Sequence, residues 1–239
     1  LGEALTSYEV AGPGFLNLML SDSWHRDALR AVLEAGVQYG SGGASPGLRV
    51  LIEFVSANPT GPLVAASGRH AAYGAALSRI LAHHGHEVLR EYYFNDAGSQ
   101  IRLLGESVKA RARGEVVPEG GYQGDYIAAL ADQNEGVAEL PVTEASARAV
   151  ALLLAQIKGT LERYGVHYDQ FFSERLLHEG SPSYLDRALA LVADGRNSYE
   201  SDGALWLRTT SFGDDKDRVL RRTGGEPTYF AADLAYLLE

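Results

Sequence analysis

The sequence has no cysteine, one methionine and two tryptophans among 239 residues. Without thiols there can be no disulfide and no thiolate metal site, a usage that fits a reducing cytoplasm. No apolar run comes near the roughly 18 residues that a membrane-spanning helix needs. Short-period repeats and low-complexity tracts are missing as well. The opening residues, Leu1-Gly2-Glu3-Ala4, are neither an initiator methionine nor a basic signal region, and they read as the interior of something longer. Positive charge is scarce: 21 basic against 31 acidic side chains leave a net charge of −10. An acidic chain binds nucleic acid only through a local basic patch. The one compact candidate, Lys216-Asp217-Arg218-Val219-Leu220-Arg221-Arg222, follows Asp214-Asp215 and reads better as a solvated turn and strand end.

What is present is ordinary for a globular protein, 46% hydrophobic and 22% charged, with length for one large domain or two small ones. The most informative stretch is Leu48 to Arg69. An apolar, β-branched run, Val50-Leu51-Ile52-Glu53-Phe54-Val55, breaks at Asn58-Pro59-Thr60-Gly61-Pro62 and flows into an apolar-periodic segment. Strand, tight loop and helix are the opening unit of a nucleotide-binding α/β sheet, where helix N-termini offer free N–H groups to anions. Glu53 is a carboxylate inside a run that otherwise reads as a buried strand. It is either an edge-strand residue facing water or a buried acid that requires a partner.

Before that stretch, Phe15-Leu16-Asn17-Leu18-Met19-Leu20 reads as a strand. Ser21 or Asp22 caps a helix bearing Trp24, Leu29, Val32 and Leu33, and Gly40 to Gly47 is a linker. After it, a helix is expected over about 70–84, with Tyr73, Leu77, Ile80 and Leu81 at helical spacing. His83, His84 and His86 lie at its C-terminal end, where the dipole favours histidine; no carboxylate at ligand spacing accompanies them, and no metal site is expected. Val88 to Phe94 is a second strand. It stops at Asn95-Asp96, residues that either line the ligand crevice at the C-terminal end of a parallel strand or cap the next helix. Residues 110–195 are expected to be a mostly helical insertion. Strands return at Ala204–Thr210 and Arg218–Arg221, and Tyr229 stands near the start of a helix expected to run to the last residue.

Five blocks carry a resemblance: IEFVSANPTGPL, REYYFNDAGSQI, GDYI, ALWLRTTSFGDDKDRVLRR and PTYFAADLAY. In that order they resemble arginyl-tRNA synthetase, a class I aminoacyl-tRNA synthetase. AGPGFLNLML resembles the end of that family's N-terminal additional domain. The resemblance implies an α/β chain holding the first half of a Rossmann-like class I catalytic domain over 45–239, preceded over 1–44 by the end of the additional domain and a linker. It implies a cytoplasmic ligase that activates arginine with ATP, with Mg2+ accompanying the nucleotide, and esterifies it to tRNA(Arg). Glu53, Ser56, Asn58, Asn95, Tyr229 and Asp233 match positions that hold arginine in the family. Pro59, Gly61, Leu63 and Gly68 match the ATP side. On this resemblance Glu53 becomes a buried acid with a cationic ligand as its partner.

Two departures stand out. Family members normally continue PTGPL with His-x-Gly-His, which holds ATP phosphates and stabilises the transition state. Here the four residues are Val64-Ala65-Ala66-Ser67, with Val64 and Ser67 at the histidine positions, so no catalytic residue is identified. The chain also stops before the lysine-rich KMSKS loop and the helical anticodon-binding domain. By itself it is expected not to charge tRNA. The competing expectation is a non-catalytic paralogue or fragment that binds arginine or a partner.

Overall fold

The computed structural model describes residues 2–238. The chain divides into two compact units, one comprising residues up to Val50 together with Ser78–Val88, the other Leu51–Leu77 and Leu89–Glu239.

In the first unit β1 (Leu5–Ala11) and β2 (Phe15–Leu20) form an antiparallel hairpin through a tight turn. Strand β1 was not anticipated from the pattern. Helix α1 (Asp22–Ala35) follows, and the Ser21 hydroxyl accepts from Trp24 N at 3.2 Å, so Ser21 rather than Asp22 is the cap. Of the three histidines near residue 84, His83 stands in the last turn of the helix that ends there, and His86 Nδ1 accepts from Leu48 N at 3.1 Å.

The second unit carries the sheet. Strand β3 (Arg49–Glu53) leads through helix α2 (Ala65–His83) to β4 (Glu87–Phe94), and the order in the sheet is β3-β4-β5, with β5 (Gln170–Ser173) parallel to β4. A helical crossover is what parallel neighbours require. Helix α2 starts five residues earlier than its apolar spacing suggests, because alanine at 65 and 66 propagates a helix once Pro62 has been passed.

Alternation along β4 and β5 sends aromatics to both faces. Tyr92 stacks on Phe171 at 5.1 Å and packs with Ala71 and Ala75 of α2 and with Ile157 and Leu161. Tyr93 stacks on Phe172 at 5.8 Å; Phe172 packs with Ala231, Ala232 and Ala235 of a C-terminal helix. Gly74 makes one of these contacts possible: a Cβ there would lie 2.3 Å from the Phe54 ring.

Between β4 and β5 run α3 (Gly98–Ala112), α4 (Asp125–Gln133) and α5 (Val142–Arg163). Leu104, Val108, Ile127, Leu130, Ala149 and Leu153 form their core. Helix α5 then continues under the sheet through Ile157 and Leu161. The span 110–195, expected to be mostly helical, therefore contains a sheet strand, β5. Its four residues, QFFS, are too short for a periodic signal and are fixed by pairing with β4. Helix α6 (Tyr184–Asp194), an antiparallel sheet of β6 (Ser198–Ser201), β7 (Ala204–Leu207) and β8 (Arg218–Arg221), and α7 (Tyr229–Tyr236) complete the unit. Helix α7 ends at Tyr236 rather than running on. Among the described residues no helix is long and apolar enough to cross a membrane.

Candidate active site

The chain leaves β3 through two left-handed residues, Val55 (φ 69°) and Ser56 (φ 44°). A β-branched residue at positive φ is strained, and such strain persists only where the surroundings impose it. Here hydroxyl groups impose it. Tyr168 Oη donates to the Phe54 carbonyl at 3.0 Å. Tyr92 Oη donates to the Ala57 carbonyl at 2.8 Å and accepts from Ala57 N at 3.1 Å. Ser56 Oγ accepts from Tyr93 N at 3.2 Å, and Tyr126 Oη donates to the Thr60 carbonyl at 3.1 Å. Burial pushes the Tyr92 phenol up to about 12, so it stays protonated and able to donate at any physiological pH.

Polar side chains from the loop after β3 and from the ends of β4 and β5 come together here. Asn58 Oδ1 accepts from Asn95 N at 3.3 Å and Asn58 Nδ2 donates to Gln100 Oε1 at 3.4 Å. Asn95 Oδ1 accepts from Ala97 N at 2.9 Å, an Asx turn leading into α3. Asp96 faces β5: both carboxylate oxygens accept from Ser173 Oγ at 2.8 Å, and one accepts from Arg175 N at 3.3 Å. Asp96 is thus occupied in tying two strand ends together.

Three further carboxylates gather along this edge. Glu53 is exposed at the end of β3, which corrects the reading of a buried acid. The strand lies at the edge of its sheet, and its accessibility alternates from residue to residue. Asp233, one helical turn beyond Tyr229 on α7, has its carboxyl held above the ordinary range by desolvation and by the charge of Glu53. Glu174, just after β5, is buried, and its carboxyl is also raised, chiefly by desolvation, with Asp233 and Asp96 adding to the shift. The Tyr93 phenol donates to Glu174 and is raised by burial and by that carboxylate. Helix α7 is docked on the same strand: Tyr236 packs edge-on against Tyr93 at 4.9 Å and its hydroxyl donates to the buried Glu91.

An open cleft of about 390 Å³ borders this edge, lined among others by Asn95, Gln100, Glu174, His178, Arg222 and Tyr229. Of the residues singled out from sequence for an amino acid, Asn95 and Tyr229 line it. Glu53 and Asp233 sit within electrostatic reach of each other, and Ser56 and Asn58 anchor the loop beside it. Glu53, Ser56, Asn58 and Asp233 are not among its lining residues. Of the residues expected on the ATP side, Pro59 is buried and half-buried Leu63 packs against the core around Phe54, so both have structural work. Gly61 and Gly68 are half-buried, and space is open where a Cβ at Gly68 would lie. Val64 is 65% exposed just before α2, whereas Ser67 is buried in its first turn at 8%. Glu174 and His178 were missed, because the strand that brings Glu174 to the site, β5, is too short to be recognised from its own pattern. Within the basic run, the Arg218 guanidinium is taken up by its own neighbours, bonding Asp214 at 2.7 Å and Asp215 at 3.1 Å, while Arg222 lines the cleft.

No protein-family model matches the chain. It is 46% identical over 244 residues to a protein of Paenarthrobacter aurescens named arginine–tRNA ligase, an alignment covering 98% of this chain and 44% of that protein. It is 47% identical over 246 residues to one of Renibacterium salmoninarum with the same name, covering 99% and 44%. In structure it is similar to a Campylobacter jejuni chain assigned as an arginyl-tRNA synthetase, with a TM-score of 0.81 and 34% identity over 91% of this chain and 50% of that one. A Thermus thermophilus arginyl-tRNA synthetase matches with a TM-score of 0.66 and 26% identity, covering 100% and 42%. The chain spans a little under half the length of the relatives it matches.

Proposed function

We propose, from the premise that this chain belongs to the arginyl-tRNA synthetase family, that it carries the amino-acid side of an arginine-activating site. The observation behind this is the acidic edge. Asp233 lies within electrostatic reach of both Glu53 and Glu174, Asp233 and Glu174 are held above the ordinary carboxylate range, and among the described residues none of the three has a lysine or arginine in ion-pair contact. Carboxylates in mutual repulsion are stabilised by a cation. A guanidinium suits them better than an ammonium because its five N–H donors are fixed in a plane and it stays charged. Tyr229 adds a phenol one helical turn from Asp233, Ser56 and Asn58 would frame the α-amino and carboxylate end, and Asn95 would complete the set of arginine contacts.

ATP would lie along Pro59 to Gly68, with its phosphates toward the N-terminus of α2, where unsatisfied N–H groups face anions. Mg2+ would arrive as part of the nucleotide complex; among the described residues no group of three or more metal-ligating side chains marks a resident site. In the longer protein the arginine carboxylate attacks the α-phosphorus, pyrophosphate leaves, and the arginyl group passes from AMP to a tRNA hydroxyl. The protein's part in such a transfer is mainly positioning and electrostatic stabilisation.

One observation favours a second reading, arginine binding without activation. Val64 and Ser67 replace the two histidines. Valine offers phosphate no donor, and Ser67 is buried. The loss of one oriented donor costs about 10²–10³ in rate. Calorimetric titration with arginine and with citrulline, its neutral isostere, tests the shared part: arginine alone should bind, and equal binding of the two sinks the acidic-edge reading. Arginine-dependent ATP–pyrophosphate exchange then separates activation from binding alone.

A further inference from the structure

The GDYI block lies outside the residues matched to arginine and ATP. Its tyrosine, Tyr126, stands on α4 in the helical block, and its ring packs against the α3–α5 core. Its hydroxyl crosses to the loop after β3 and donates to the Thr60 carbonyl at 3.1 Å, a contact between residues 66 apart in sequence. Glycines flank the ring. A Cβ at Gly61 would lie 3.7 Å from Tyr126 Cζ and Oη, and one at Gly124 would lie 3.6 Å from Tyr126 Cδ1. Gly124 has φ 116°, a conformation that other residues rarely adopt, and it serves as the N-cap of α4.

The other backbone tethers of this loop come from the sheet unit itself, through Tyr92 from β4 and Tyr168 just before β5. They end at Ala57. Beyond it, on the stretch from Asn58 to Gly61, Tyr126 holds the Thr60–Gly61 peptide by its carbonyl. We infer that Tyr126 is a positioning residue: through the Thr60 carbonyl the helical block fixes the 58–61 loop, which presents the Asn58 amide to the amino acid and the Gly61 backbone to the nucleotide. The presentation half of this rests on the function proposed above. The fixing half rests on geometry alone.

The Tyr126→Phe variant of this chain separates the hydroxyl from the ring, which keeps its packing. The Thr60 carbonyl and the Gly61 N–H belong to one peptide group, so the Gly61 amide cross-peak in a 15N–1H spectrum reports the hydrogen bond directly. In Y126F that peak should shift and its hydrogen exchange quicken, while the melting temperature falls by no more than a few degrees and the peaks of α3 and α5 hold. Titration with arginine and with ATP should show affinities weaker by about two- to tenfold, the range of one ordinary hydrogen bond. A Gly61 peak unmoved in position and exchange overturns the inference, whether or not any ligand binds. A shifted peak with both affinities unchanged overturns the positioning role and leaves a merely structural contact. If the unsubstituted chain binds neither ligand, the proposed function fails separately, and the Gly61 peak still decides whether Tyr126 fixes the loop.

Discussion

Replacing Asp233 with asparagine should make the ligand-free protein more stable and ruin its affinity for arginine. Asp233 is held above the ordinary carboxylate range first by desolvation and then by Glu53, and it in turn raises Glu174. A carboxylate whose folded pKa is raised binds its proton more tightly in the folded state. Folding is therefore favoured at low pH, and that contribution is lost as pH rises through the folded value, so at neutral pH the charge is a net cost. Asp233 and Glu53 are both exposed, so the repulsion is screened and is put at about 0.2–1 kcal/mol, the scale of surface ion pairs. For a chain of this size that raises the melting temperature by up to about 4 °C. Asparagine is nearly isosteric, and the fifth residue of α7 lies past the turn where the helix dipole would miss a negative charge. The affinity loss runs the other way: a hydrogen bond to a charged partner contributes about 1.5–3 kcal/mol, or roughly 10- to 150-fold. Scanning fluorimetry from pH 4 to 8 should show the stability gain at pH 7, its shrinkage as pH falls toward the carboxylate range, and its weakening in high salt. Calorimetry measures the arginine side. A D233N protein that melts lower at pH 7, or that holds arginine within twofold, would refute the idea of carboxylates waiting for a cation.

Other substitutions probe separate parts of the argument. Gly61→Ala would place its Cβ 3.7 Å from the Tyr126 ring, an ordinary contact, so unfolding should change by no more than about 0.5 kcal/mol. If ATP approaches that backbone, its affinity should still fall about tenfold or more in a nucleotide titration, and an unchanged affinity would remove Gly61 from the site. Gly105→Ala would place a Cβ 2.1 Å from Ser146 Oγ and 2.9 Å from Ser146 N, a clash the side chain alone cannot relieve. Urea titration should show a loss of about 1–3 kcal/mol, and an unmoved midpoint would mean that α3 and α5 are not in close contact. Asp169→Asn removes a bidentate pair in which Arg90 Nε and Nη2 lie 2.9 and 2.7 Å from the carboxylate, and should cost about 1 kcal/mol at pH 7. The Asp169 carboxyl is held below the ordinary range chiefly by the Arg90 side-chain hydrogen bond, so this stability is full above the unfolded pKa and fades as pH falls through the folded one. The gap between wild type and variant should therefore close below about pH 4, and a constant gap would assign the loss to packing.

How much of this could be read in the residues depended on where the physical cause lay. Tyr229 and Asp233 were legible as a helix-face pair because their spacing is local. The loop after β3 was legible because proline and glycine break a strand wherever it folds. The choice between an exposed and a buried Glu53 was not. Whether a strand is at the edge or in the middle is decided by which other strands pair with it, and β5, the third member of the sheet, is four residues that give no periodic signal of their own. Glu174 was hidden for the same reason, since it becomes a site residue only once β5 lies beside β4 and brings it to Tyr93.

The same logic explains why side chains expected to touch a ligand were easier to find than those that hold the backbone around them. A carboxylate or amide at the end of an apolar run is conspicuous by its chemistry. A tyrosine in an aromatic strand or an amphipathic helix reads as core, and Tyr92, Tyr126 and Tyr168 do serve the core with their rings. Their hydroxyls act at carbonyls 35, 66 and 114 residues distant, contacts without any local pattern. Those carbonyls belong to a segment with two left-handed residues, which would relax if left to itself. The geometry of the candidate site is thus set less by the residues that face the cleft than by three phenols behind them, each recruited from a different part of the chain and each able to donate only while it keeps its proton.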